Sequence, residues 1–279
     1  MNSPTLHLGY SPCPNDTFIF YALMHGRIPL HGFYIREELA DVETLNCRAL
    51  ARELDLTKIS YHAFGHLRNE YALLRSGGAL GRGCGPLVVA RQTTSLERLR
   101  GKLIAIPGEL TTANLLLQLH GAGYERLQVL SFDKIVAAVS SGSVDAGLII
   151  HESRFTFAAH GLVAVEDLGA WWEELTGLPI PLGGILARRS LGRKVIEEVE
   201  SAIRASVRYA FDHPEEARSY IRAHAQELDD TVIKQHIDLY VNHFSLDLGE
   251  EGLAAVHELL HRATAAGIIP PSSLPLGTL

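Results

Sequence analysis

The sequence predicts an α/β protein of two lobes with a ligand cleft between them. Three observations carry this. Short apolar runs alternate with longer helical segments, as in βαβ units around a largely parallel sheet. Two glycine-led apolar strands resemble each other, Gly85-Pro86-Leu87-Val88-Val89-Ala90-Arg91 and Gly183-Gly184-Ile185-Leu186-Ala187-Arg188, and they frame a self-contained α/β block. A length of 279 residues is enough for two cores. If the similar strands are the crossings out of one lobe and back, the large lobe holds about 1–90 plus 189–279 and the small lobe about 91–188. Val88-Val89-Ala90 and Ile185-Leu186-Ala187 would then run side by side as the hinge.

Taken in order, Leu6–Tyr10 reads as the first strand. Ser11-Pro12-Cys13-Pro14-Asn15-Asp16 follows as a turn, because two prolines forbid ladder pairing there. Asn15 or Asp16 then caps a helix through Phe18–Leu23. Phe33–Glu37 is a strand and Val42–Ala51 a helix. Leu56–Ser60 is a short strand that opens into a helix at Tyr61–His66. The inner block reads strand Lys102–Ile106, helix Thr111–His120, strand Gln128–Ser131, helix Asp133–Ser140, strand Val144–Ile150. The last third is helical by its apolar spacing, over Arg193–Phe211, Glu215–Ala225, Asp230–Tyr240 and Glu250–Ala266. No internal repeat or low-complexity stretch interrupts it.

Composition excludes several classes. Hydrophobic residues are 47% and charged residues 20%, which is globular and argues against disorder. The longest apolar runs, such as Phe18–Met24, are too short to span a bilayer. The stretch Met1–Leu6 has no basic region before an apolar one, and the three cysteines Cys13, Cys47 and Cys84 are widely separated. A reducing cytoplasm is expected, with no membrane partner. Lys and Arg number 25 against 32 Asp and Glu, a formal net charge of −7 that repels nucleic acid. An anionic ligand must therefore be held locally, by helix starts and one or two arginines. The oligomeric state is not legible.

In open α/β sheets ligands sit beyond the carboxyl ends of the strands. Four segments occupy such places. Asn15 and Asp16 lie where the first helix begins, as ligand contacts or as a rigid capped loop. Lys58 and Ser60 alternate with apolar neighbours around Ile59, a pattern that equally fits a solvated edge strand. Thr111 and Thr112 open a helix after Pro107-Gly108; capping needs one threonine, so the pair favours a carboxylate or phosphate oxygen. His151 stands directly after an apolar strand, as a general base or as a structural histidine. Arg154 follows it in Glu152-Ser153-Arg154-Phe155 as a further candidate contact. Gly77-Gly78-Ala79-Leu80-Gly81-Arg82-Gly83 lacks the strand–helix frame of a dinucleotide site and reads as a flexible loop lining the cleft, with Arg82 as an anion contact. No HExxH or other metal-ligand spacing occurs, so no metal site is expected.

Paired crossings around a cleft are the plan of the periplasmic-binding-protein class. More specifically, Ser11–Phe18, Leu56–Tyr61, Arg75–Gly81, Gly147–Phe155 and Leu168-Gly169-Ala170-Trp171-Trp172 together resemble the 1,4-dihydroxy-6-naphthoate synthases of the futalosine route to menaquinone. The resemblance covers nearly the whole chain. It implies a type 2 periplasmic-binding fold without cofactor, and a lyase that converts cyclic dehypoxanthine futalosine to 1,4-dihydroxy-6-naphthoate. It also implies His151 as the base, with substrate contacts at Lys58, Ile59, Ser60, Thr111 and Thr112. Two other classes stay open: a non-catalytic solute-binding protein on the same fold, and the related chorismate dehydratase.

Overall fold

Two sheets form, and the chain crosses between them twice. A computed structural model describes residues 4–226 and 229–277; residues 1–3, part of the stretch read above for an export signal, lie outside them. The first sheet is entered through β1 (Thr5–Tyr10), α1 (Pro14–Met24), β2 (Tyr34–Leu39), α2 (Val42–Leu50), β3 (Leu56–Ser60), α3 (Tyr61–Leu67), β4 (Tyr71–Leu73) and β5 (Ala79–Gly81). The chain then builds the second sheet with β6 (Leu87–Ala90), β7 (Ile104–Ile106), α4 (Thr112–His120), β8 (Leu127–Val129), α5 (Phe132–Ser141), β9 (Ala146–Ile149), α6 (Ser153–Thr156) and β10 (Val163–Asp167). It returns through α7 (Leu168–Thr176) to β11 (Ile180–Arg188). The remaining helices are α8 (Arg193–Asp212), α9 (Arg218–His224), α10 (Asp230–Tyr240), α11 (His243–Leu246) and α12 (Gly249–Ala265).

The six-stranded sheet has the order β2-β1-β3-β11-β4, with β5 on β11; the five-stranded sheet runs β10-β6-β9-β7-β8. Each has a parallel core, β2-β1-β3 and β9-β7-β8, as βαβ units dictate. Each then takes in antiparallel strands, β11 in the first and β6 with β10 in the second. The sheets are thus mixed rather than largely parallel. Helices cover both faces of the first sheet, so α1 is buried all round between β1 and α8, α9 and α10. No helix among the described residues is long and apolar enough to cross a membrane.

The expected hinge is wrong in place. Leu87–Ala90 pairs with β9 and β10 in the second sheet, whereas Ile185–Ala187 pairs with β3 and β4 in the first. The two segments look alike because each is the antiparallel strand set beside a parallel core, a role that selects a buried apolar run in both. Strand Leu87–Ala90 therefore leaves the large lobe and Ile180–Arg188 joins it. The crossings fall at 82–86 and 168–179, and they do touch there. A Cβ on Gly85 would lie 2.2 Å from the Cα of Gly169, so the two backbones approach as closely as only glycine allows. Arg154 fastens the junction by donating to the Gly85 carbonyl and to Asp167 Oδ2 at 2.7 Å.

Gly85→Ala is expected to cost about 1–3 kcal/mol, as overpacking does, and to lower the melting temperature by several degrees. An unchanged melting curve would contradict this account of the crossing.

Candidate active site

Strands β1, β3, β7 and β9 all end at one cavity between the sheets, with about 710 Å³ of empty space counting its open mouth. Its wall includes Ser11, Asn15 and Asp16 after β1, Lys58, Ile59 and Ser60 at the end of β3, Thr111, Thr112 and Ala113 after β7, and Ile150 and His151 after β9. Val42 at the start of α2 and Tyr240 at the end of α10 complete much of the rest. Helices α1, α2, α3 and α4 therefore all begin at the cavity, and their N-terminal partial charges offset the net −7 of the chain there.

Pro14 sits at the first position of α1, where its fixed φ suits a helix and its missing N–H costs nothing. The helix thus starts two or three residues earlier than the sequence predicts, with Cys13 as N-cap, and Asn15 and Asp16 lie inside the first turn rather than capping it. Asp16 is buried and fully engaged. Its carboxylate accepts from Ser11 N and Oγ at 3.2 and 2.8 Å, from Asn15 Nδ2 at 2.8 Å, and from the Lys58 ammonium. Strand β3 lies between β1 and β11 with all five residues buried. The solvated-edge reading of Lys58 and Ser60 is therefore displaced. Ser60 N donates to Asn46 Oδ1, and the Asn46 amide returns a donor to Ser60 Oγ.

Thr111 is the N-cap of α4 and takes the N–H of Asn114 on Oγ at 3.2 Å. Thr112 Oγ donates to Leu182 O at 2.6 Å, joining α4 to the first sheet. Both hydroxyls are thus committed to the protein. What remains for a ligand is the backbone: the N–H groups of Thr112 and Ala113 belong to the first turn, which a helix cannot satisfy internally.

His151 has φ of 57°, a left-handed conformation that is uncommon outside glycine and is held here between β9 and α6. Burial pushes its imidazole down to about 4; Lys58 adds to that, while Asp16 and Asp41 oppose it. The ring is therefore a neutral base at pH 7. It lies 5.0 Å from the ring of Phe132 and stacks at 5.9 Å on His236.

Cys13, His151 and Glu152 each bring a possible ligand atom within 4.8 Å of the others, a grouping that sequence spacing does not show. A cation there would have to deprotonate a thiol that burial and Glu152 push well up, with the Lys58 ammonium close by. Its surroundings oppose a metal centre.

Eight of the ten residues singled out from the sequence meet in this cavity: Asn15, Asp16, Lys58, Ile59, Ser60, Thr111, Thr112 and His151. Arg82 and Arg154 are not in its wall. Arg82 is half exposed and spends its guanidinium on Glu251 and the Gly177 carbonyl. The segment before it is ordered as β5 rather than a flexible loop, and only Ala79 of it reaches the wall. Arg154 serves the crossing. Sequence reasoning missed His236, Glu152, Cys13 and Tyr240. The signal for His236 was its place with Ile233 and Tyr240 on the buried face of α10.

The sequence model of a menaquinone biosynthesis family matches residues 6–265. A protein of Thermus thermophilus named 1,4-dihydroxy-6-naphthoate synthase is 57% identical over 97% of this chain and 98% of its own length. One of Streptomyces coelicolor with the same name is 50% identical over 97% of this chain and 96% of its own. A solved structure of an Archaeoglobus fulgidus protein, 40% identical, superposes with a TM-score of 0.90 over 95% of this chain and 98% of that one. The alkanesulfonate-binding protein of Xanthomonas axonopodis pv. citri, 15% identical, gives 0.70 over 96% and 94% and shares the periplasmic-binding-protein fold alone.

Two outcomes follow from the electrostatics. Removing Asp16 leaves a buried ammonium without its partner, so Asp16→Ala is expected to cost up to about 3–5 kcal/mol, less what water in the cavity recovers. The double variant Asp16→Leu/Lys58→Met regains part of that loss in thermal melts; additive losses would contradict the pairing. Burial also depresses His62 and His151 to about 4 and His236 well below its usual value. Their unfolded forms take up protons near 6.5. Their stability contribution is thus complete above pH 6.5 and lost as pH falls toward 4. A melting temperature that stays flat between pH 7 and 5 would contradict this.

Proposed function

The chain belongs to the menaquinone biosynthesis family, and we propose that it is the carbon–carbon lyase that converts cyclic dehypoxanthine futalosine to 1,4-dihydroxy-6-naphthoate. The observation that carries this reading is His151: a neutral imidazole in a left-handed turn, in the wall of a cavity whose other side is the open start of α4. The names of the two curated relatives support the product.

In this reading the substrate carboxylate lies on the N–H groups of Thr112 and Ala113, with the α4 dipole behind them. That fixes the reacting end of the molecule toward His151. His151 takes the proton whose removal starts C–C cleavage. The developing oxyanion is met by Lys58, the one cation lining the cavity among the described residues. Formation of the aromatic naphthalene ring drives the reaction. The protein acts in the cytoplasm on a small anion. A solute-binding role would use the same helix start but has no use for a histidine held at positive φ.

The test is turnover. Purified protein is expected to form the naphthoate from cyclic dehypoxanthine futalosine, and His151→Asn to lose about 10²–10⁴ in kcat while still folding and binding. A stable His151→Asn protein with near-normal kcat would overturn the base assignment. Because kcat/KM reports the free enzyme, its acid limb is expected near pH 4 rather than 6.5. Thr111→Val/Thr112→Val loosens the α4 start and is expected to raise KM at least as much as it lowers kcat.

A further inference from the structure

His236 is a fully buried histidine on α10, remote in sequence from every motif of the cavity. Three features of its ring are fixed by the structure. Its Nε2 lies 2.9 Å from Asn15 Oδ1. The Asn15 amide nitrogen already donates to Asp16, so Asn15 Oδ1 accepts and His236 Nε2 carries the proton. Its Nδ1 is then the unprotonated nitrogen, 3.5 Å from Glu152 Oε2, so a hydrogen bond between them takes its proton from the Glu152 carboxyl and not from the ring. Its face lies on the His151 ring, with centroids 5.9 Å apart and planes within 7°.

These contacts join the two sheets. Glu152 and His151 follow β9 of the second sheet, whereas Asn15, Asp16 and Lys58 belong to α1 and β3 of the first. A chain of hydrogen bonds runs from His236 through Asn15 and Asp16 to Lys58, and Glu152 lies 3.5 Å from the other nitrogen of the ring. We propose that His236 is a positioning residue of the cleft: it indexes His151 and Glu152 of one sheet against the Asp16–Lys58 pair of the other. The proposal rests on His151 being the base. It gives a reason for the buried imidazole, which otherwise adds only a polar group to an apolar helix face.

The groups that face His151 are Asp16 from α1, Lys58 from β3, Asp41 ahead of α2, His236 from α10, and the neighbouring Cys13 and Glu152. Of these, His236 alone sets a ring parallel to that of His151, with centroids 5.9 Å apart, beside the tilted Phe132 ring at 5.0 Å. Removing that ring admits water beside His151 and restores part of its lost solvation. His236→Gln keeps an amide N–H for Asn15 but removes the ring. His236→Phe keeps the ring but removes both nitrogens. Glu152→Leu keeps the bulk of the side chain and removes both oxygens that face His236.

With cyclic dehypoxanthine futalosine as substrate, His236→Gln is expected to lower kcat by about 10–100-fold, the scale of a small misplacement of a reacting group, with little change in KM. The acid limb of kcat/KM moves up toward 6.5. His236→Phe restores the limb but only part of kcat. Glu152→Leu lowers kcat, and the His236→Gln/Glu152→Leu double variant is no worse than the worse single, as coupled residues behave. A merely structural histidine would lower the melting temperature and leave kcat per folded molecule and the acid limb at wild-type values; that result overturns the proposal. If His236→Gln does not fold, wild-type kcat and pH profile in Glu152→Leu overturn it instead. Retained turnover in His151→Asn would remove the underlying reading and this one with it. An inactive His151→Asn beside a wild-type-like His236→Gln removes the positioning role alone.

Discussion

The buried contact between Asp16 and Lys58 fixes the geometry on which the cavity depends. Two charges taken out of water must satisfy each other and their remaining hydrogen-bonding capacity, or the fold loses more than it gains. Asp16 meets that demand by holding Ser11, Asn15 and Lys58 at once. The first turn of α1 is thereby locked to the end of β3. Asn15 is locked with it, and through Asn15 the ring of His236. The placement of His151 follows from that ring and from its own backbone turn.

The same region resolves a conflict in charge. A chain with a net charge of −7 repels an anion at long range. The fold answers by ending four strands at one place, so that helices begin there and present their unsatisfied N–H groups. Only one cation, Lys58, is added among the described residues of the wall, and Asp16 offsets it. Capture of the proposed anionic substrate would therefore rest on backbone dipoles more than on ionic charge, and dipoles fall off within about one helical turn. Such a site attracts weakly from afar and discriminates strongly on contact.

Much of this was legible in the sequence. Strand β3, helix α2 and helix α10 lie where apolar spacing puts them. The rule that ligands sit past strand ends led to eight residues of the wall. What failed did so for physical reasons. Strands β4 and β5 are three residues each and exist by pairing with β11, a contact that no local pattern records. The similar strands at 87–90 and 185–187 were read as neighbours, though the likeness reflects equivalent roles in two sheets. Arg82 and Arg154 looked like anion contacts because an arginine's partner depends on which chain segments approach it. Pro14 was read as turn punctuation, whereas at a first helical position it starts the helix. His236 needed the packing of α10 against α1 to acquire its meaning.

The central claim is geometric: the substrate's carboxylate sits on the start of α4 and its reacting carbon faces residue 151. The most direct measurement is the structure of the His151→Asn protein bound to cyclic dehypoxanthine futalosine. The account predicts the carboxylate on the N–H groups of Thr112 and Ala113, and the scissile bond beside residue 151 and Lys58. A ligand bound with its carboxylate toward the open mouth, or with the scissile bond out of reach of residue 151, would contradict it.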